Sequence, residues 1–198
     1  MKLILASTSA ARRAMLTAAG VPHVAIPNAL DEDLEKQTLI AQGLPAESYA
    51  VALATAKARS VIHAGENALI LGCDQILVHS DGTIFDKPIT RARLVDQLAQ
   101  LSGQTHRLYS AAVIIENNHI AWQGMEHADL TMRHLSSSYM IGYAADAKSE
   151  ILSCVGGYQI ESEGIQLFSK IQGSHFAILG LPLIELLAYL RHRGLLLS

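Results

Sequence analysis

The segment Ala68–Val78 constrains the fold most. Leu69, Ile70 and Leu71, then Ile76, Leu77 and Val78, make a nearly continuous apolar run with Asp74 at its centre. A run of this length reads as a buried strand, and Asp81-Gly82 just beyond it is a hairpin-turn signal. Apolar segments and Gly/Pro punctuation alternate on either side, with no repeat, low-complexity tract or long linker. Lys2–Ala6 reads as a short strand, and Ala10–Ala19 as a helix closed by Gly20. Val21–Ile26 reads as a second strand, and Pro27–Leu44 as a polar loop with a short helix. Pro45 opens a long helix through about Ala64, ended by Gly65. Thr90 caps a helix to Leu101. Leu108–Ile115 and Ile120–Met132 read as paired strands, followed by a helix over Ser136–Ala145. Gly164–Ile171 and His175–Leu179 read as strands around Gly173, and Pro182–Arg193 as a last helix closed by Gly194. Hairpins mixed with strand–helix–strand connections predict a mixed α/β sheet.

Composition bounds the function. The 198 residues are 50% hydrophobic and 17% charged, which fits one substantial core or two closely packed lobes and excludes disorder. A formal charge of −3 argues against a broad surface for polymeric nucleic acid. Cys73 and Cys154 are too few for a disulfide framework or a four-thiolate zinc site. The apolar start ends at Ala6, too short for a signal peptide. The stretch from Phe176 to Leu190 is interrupted by Pro182 and Glu185 and falls short of a bilayer span. The expectation is a cytoplasmic protein without a membrane partner.

Asp74 carries the chemical argument. An ionised carboxylate buried among apolar neighbours costs several kcal/mol unless a cation, a metal or several donors meet it. One solution is structural, with backbone amides or an arginine as partner; the other is a reaction centre. The turn Ser7-Thr8-Ser9 lies between a strand and a helix, where free amides and the helix dipole favour an anion, and Arg12 and Arg13 add donors for phosphate oxygens. Lys57 lies among small residues on the long helix, and Lys87 precedes the stiffening Pro88. With the acidic pair Asp31-Glu32, these residues are the components of polyphosphate chemistry: cations on phosphates, carboxylates on a divalent metal, one carboxylate orienting water. The chain has no Gly-x-x-x-x-Gly-Lys-Ser/Thr loop, no Gly-x-Gly-x-x-Gly, no Gly-x-Ser-x-Gly elbow and no His-Glu-x-x-His. Cys73 points to the strand face opposite Asp74 and reads as a small core residue.

The ordered series Leu5-Ala6-Ser7-Thr8-Ser9-Ala10-Ala11-Arg12-Arg13, Asp31-Glu32, Lys57-Ala58, Cys73-Asp74-Gln75, Lys87-Pro88 and Gly180-Leu181-Pro182-Leu183 resembles the Maf family of nucleoside triphosphate pyrophosphatases nearly end to end. The resemblance implies a single catalytic domain over residues 1–198, or two lobes around a central cleft. It implies an elongated mixed β-sheet flanked by helices, like inosine triphosphatase, and a homodimer. It also implies hydrolysis of a nucleoside triphosphate to the monophosphate and pyrophosphate with Mg2+, or Mn2+ or Co2+. Asp74 matches the catalytic base and, with Glu32, the metal site. Ser7, Arg12, Lys57 and Lys87 match phosphate-binding positions. Ala11, Gln75 and Glu161 match specificity positions. Gln75 and Glu161, together with Met132-Arg133-His134-Leu135-Ser136, resemble the members acting on 7-methyl-GTP. A carboxylate at 161 suits the guanine N1–H and N2–H2 edge and a cationic ring.

Two positions depart from the pattern. Ala10 stands where the family has Pro, and Ala11 where the methyl-GTP subgroup carries an aromatic ring that would stack on the base. Activity on dTTP and UTP, or broad specificity, is the alternative. A nucleotide-sensing or septum-regulating binding protein with little catalysis is another.

Overall fold

The computed structural model describes residues 2–64 and 67–197. In chain order the elements are β1 (Lys2–Leu5), α1 (Ala10–Ala18), β2 (Val24–Ala25), α2 (Glu32–Ala41), α3 (Ala46–Arg59), β3 (Ala68–Val78), β4 (Ile84–Phe85) and α4 (Arg91–Leu101). There follow β5 (Thr105–Glu116), β6 (His119–Met132), α5 (Ser137–Asp146), α6 (Ser149–Leu152), β7 (Phe168–Gly173), α7 (His175–Leu179) and α8 (Leu183–His192). The sheet runs β2-β1-β3-β5-β6-β7, with β4 added to β3. β1 is parallel to both β2 and β3, whereas β3–β4 and β6–β7 are antiparallel. The fold is thus a mixed α/β sheet flanked by helices.

The chain divides into two compact units. Met1–Gln75, Tyr109–Glu126 and His175–Ser198 form the first, and Ile76–Leu108 with His127–Ser174 the second. In the first unit, alternation along β3 sends Leu69, Leu71 and Cys73 to one face, where they pack with Met15 and Leu16 of α1 and Leu183, Leu186 and Leu190 of α8. The other face meets α3. That helix contains six alanines in fourteen residues, a composition with high helix propensity. Ala50, Ala54 and Ala58 repeat every fourth residue and are fully buried. Gly72 accounts for how closely this stripe approaches. A Cβ at 72 would lie 2.0 Å from the Ala54 carbonyl oxygen and 2.8 Å from the Ala58 Cβ.

The second unit holds the β3–β4 hairpin and α4 beside α5. Arg107 of β5 makes a bidentate pair with Asp129 of β6 at 2.6 and 2.8 Å. His106 is buried with Tyr158 and Phe168. Among the described residues no helix is long and apolar enough to cross a membrane.

Several elements differ from the sequence reading. His175–Leu179 is a helix, not a strand. It ends at Gly180 (φ 104°), whose N–H donates to the Phe176 and Ala177 carbonyls. Five apolar residues are too few for periodicity to separate the two states. Glu163–Leu167 is a 3-10 turn, so β7 starts only at Phe168. Pro27–Leu44 contains a ten-residue helix, α2, capped by the Asp31 carboxylate on Leu34 N–H. β2 is two residues long. The long helix stops at Arg59, and a 3-10 turn follows over Ile62–Ala64. Gly65, expected to end it, lies outside the described residues.

Candidate active site

Asp74 lies two residues beyond Gly72 and therefore on the same face of β3, toward α3. The close seating of that helix puts Lys57, three residues after Ala54, over Asp74. Lys57 Nζ donates to Asp74 Oδ1 at 2.5 Å and pairs with Glu32 Oε1 at 2.9 Å. Lys57 is 6% exposed and Asp74 7%. Glu32 is the first residue of α2, directly after the Asp31 cap. The two acidic neighbours therefore diverge, Asp31 holding the helix end and Glu32 turning to Lys57. The partner that Asp74 requires is thus a lysine shared between two carboxylates.

Arg12 projects from α1 into the same unit. Its Nε donates to the Gly180 carbonyl at 2.9 Å, and its Nη1 to the Cys73 carbonyl at 3.1 Å. These bonds tie the β1–α1 turn both to β3 beside Asp74 and to the α7–α8 junction. Ser7 is buried at the end of β1, and its Oγ accepts the Ser9 N–H at 3.1 Å. Ser9 in turn caps α1 by accepting the Arg12 N–H. Arg13 and Thr8 are exposed. Ala11 is half-buried on the first turn of α1.

Gln75 is anchored inward. Its Nε2 donates to Ser110 Oγ at 3.1 Å and to the Ala177 and Ile178 carbonyls at 2.8 and 2.9 Å. It therefore fixes the end of α7 to β3, and only its Oε1 is left to face a ligand. Cys73 is fully buried, and burial pushes its thiol up to about 12 despite the nearby Arg12 and Lys57. A thiol held neutral in the core is no nucleophile.

Lys87 and Glu161 belong to the second unit. Lys87 is half-buried between β4 and α4, and Glu161 is exposed ahead of the 3-10 turn. Both charges act on Cys154, whose thiol is raised chiefly by burial, opposed by the Gln159 hydrogen bond, raised further by Glu161 and opposed by Lys87. They share that neighbourhood within the unit. The first unit thus gathers Glu32, Lys57 and Asp74, with Arg12 on the adjoining Cys73 carbonyl, and holds Ser7, Ala11 and Gln75. The sequence reading assigned no role to Gly72, although a glycine inside a strand signals close backbone approach.

Among the described residues no three His, Cys, Asp or Glu side chains are grouped to hold an ion. Two hard carboxylates around one cation position nevertheless suit Mg2+. That ion is usually held by one or two carboxylates, with phosphate oxygens and waters completing six ligands. Asp74 and Glu32 fit that role.

A strand-to-helix turn next to a buried arginine, set beside a lysine clasped by two carboxylates on a mixed sheet, is the arrangement that this α/β protein presents. The family model described as Maf-like protein matches residues 2–193, and the chain belongs to the Maf family. A Ruegeria pomeroyi protein named nucleoside triphosphate pyrophosphatase is 44% identical over 98% of this chain and 97% of its own. A Jannaschia species protein named nucleoside triphosphate pyrophosphatase 1 is 45% identical over 98% of each chain. A Mesorhizobium japonicum protein named 7-methyl-GTP pyrophosphatase is 44% identical over 98% of this chain and 96% of its own.

Proposed function

We propose that this protein hydrolyses a nucleoside triphosphate to the nucleoside monophosphate and pyrophosphate. The observation that carries the reading is the buried Lys57–Asp74 pair, with the half-buried Glu32 on the same ammonium, beside Arg12. The names of the relatives support the reaction class.

Water attacks the α-phosphorus in line, the bond to the bridging oxygen of the β-phosphate breaks, and pyrophosphate leaves. Asp74 aligns the water and takes its proton. Ser7, Arg12, Lys57 and Lys87 bind phosphate oxygens. Arg12 is pre-oriented by the Cys73 and Gly180 carbonyls, so little freedom is lost when a phosphate arrives. A divalent ion, Mg2+ or in its place Mn2+ or Co2+, supplies neutralisation of the phosphate charge when held by Asp74 and Glu32.

The preferred base is 7-methylguanine. Glu161 is exposed and available to the N1–H and N2–H2 edge, and the Mesorhizobium relative bears that substrate in its name. A dTTP/UTP or broad specificity is the second reading, favoured by Ala11, whose methyl group cannot stack on a base. A binding protein without turnover is disfavoured because Asp74, Glu32 and Lys57 are all present and in contact.

The test is pyrophosphate release across a panel of nucleotides with Mg2+, Mn2+ and Co2+, for wild type and Asp74→Asn. Asn keeps the volume and removes the base, so turnover is expected to fall by about 10²–10⁴-fold. Near-wild-type turnover in Asp74→Asn removes the base assignment, and tight nucleotide binding without release in wild type supports the sensor. Glu161→Gln is expected to lower the ratio of 7-methyl-GTP to UTP turnover; an unchanged ratio takes Glu161 out of base reading.

A further inference from the structure

The ammonium of Lys57 stands where a cation bridging Asp74 and Glu32 would stand, 2.5 Å from one carboxylate oxygen and 2.9 Å from the other. α3, which carries Lys57, is seated directly on the strand backbone at Gly72. The flexible lysine side chain can change place while that helix stays seated. A divalent ion bound to the same oxygens, at about 2.0–2.1 Å for Mg2+, would be pressed against a like charge. The carboxylates can hold the ammonium or the metal, but not both in these positions.

We propose that Lys57 is a resident counter-ion that must leave Asp74 and Glu32 before a divalent ion enters, and that its ammonium moves onto the triphosphate as it leaves. The proposal rests on the pyrophosphatase reading for the identity of the anion, and on the geometry of the cluster for the exclusion. Its consequence is coupling. A triphosphate that draws the ammonium away removes the metal's competitor, and by reciprocity the metal, by evicting the ammonium, favours the triphosphate. Metal and nucleotide then enter as a pair. Without nucleotide, the ammonium stays between the two carboxylates and offsets one of their two charges, and Asp74 stays paired. A lysine placed away from the two carboxylates would weaken metal binding far less in the absence of nucleotide.

The test uses the full chain and Mn2+ alone, with free Mn2+ read by electron paramagnetic resonance, on wild type and Lys57→Met. Removing the resident charge is expected to tighten Mn2+ binding by about tenfold or more. Equal or weaker binding by Lys57→Met overturns the proposal. Thermal melts follow in EDTA and in Mn2+. Mn2+ should raise the melting temperature of Lys57→Met more than that of wild type. If the variant is unfolded in EDTA, Mn2+ should restore a cooperative melt; a chain still unfolded at saturating Mn2+ also overturns the proposal. Nucleotide turnover by wild type is measured alongside. Turnover with unchanged Mn2+ affinity in Lys57→Met leaves the enzyme and removes the counter-ion role. Tighter Mn2+ binding without wild-type turnover keeps the counter-ion role and removes the pyrophosphatase.

Discussion

Lys57→Met should destabilise the protein far more in the presence of Asp74 than in its absence. Both members of the pair are under 10% exposed. Deleting one partner of a buried ion pair strands the other charge, which typically costs about 3–5 kcal/mol. Here the stranded group is Asp74, together with the partly exposed Glu32. For a chain of about 200 residues, each kcal/mol moves the melting temperature by about 2–4 °C, so a fall of about 6–20 °C in EDTA is expected. Asp74→Asn should cost less, because Lys57 keeps Glu32 at 2.9 Å and the amide still accepts a hydrogen bond. The double variant Lys57→Met/Asp74→Asn buries no stranded charge at position 74 and should recover about 1–3 kcal/mol relative to the sum of the single losses. Four melts followed by circular dichroism in EDTA measure the cycle. Strictly additive losses would mean that the two side chains do not rely on each other, and the account of how β3 tolerates a carboxylate would fail.

Gly72→Ala should lower both stability and turnover, since its Cβ would lie 2.0 Å from the Ala54 carbonyl and push away the helix that carries Lys57. A variant with wild-type melting temperature and kcat refutes this. His106 is buried, and its imidazole is lowered from 6.5 to about 4, chiefly by burial, then by the charge of His79, with Asp129 opposing. The unfolded chain therefore binds the extra proton first. This contribution is full above pH 6.5 and is lost as pH falls toward 4, in total about 3 kcal/mol. Urea melts between pH 7 and 4 should show a shallower slope for His106→Gln, and identical slopes refute the assignment. Cys73 should resist iodoacetamide in the folded protein at pH 8 and react on unfolding, because its thiol stays protonated in the core; rapid native labelling detected by mass spectrometry refutes this.

The legible parts of the fold are those where a local signal and the tertiary environment agree. β3 was legible because its apolar run and the Asp81-Gly82 turn both mark a buried strand, and its bounds in the structure, Ala68–Val78, match the reading. α4 and α5 were legible because Thr90 and Ser136 act as the caps that their side chains suggest. α2 was hard to read because Leu34 and Ile40 are exposed and only Leu39 is buried. Its helix therefore rests on the Asp31 cap and on contact with α3 rather than on an apolar stripe. α7 was misread because its state is fixed from outside. Gln75 Nε2 and Ser110 Oγ, far away in sequence, both donate to the Ala177 carbonyl, and nothing within His175–Leu179 announces those partners.

The site shows the same division. That Asp74 needed a cation, a metal or several donors followed from the cost of burial alone, but which of these met it did not. Arg12, Lys57 and Lys87 were equally plausible by charge, and Arg12 turns out to serve the carbonyl of Cys73 rather than the carboxylate next to it. The choice of Lys57 depends on the distance between a helix and a strand, and that distance is set by three residues without reactive groups: Gly72, Ala54 and Ala58. A side chain at 72 would press on the Ala54 carbonyl, 2.0 Å from its Cβ, and disturb the 2.5 Å Lys57–Asp74 contact. The chemistry at Asp74 is therefore encoded twice, once in the acidic and basic residues that a motif search finds, and once in small residues whose contribution is to take up no space.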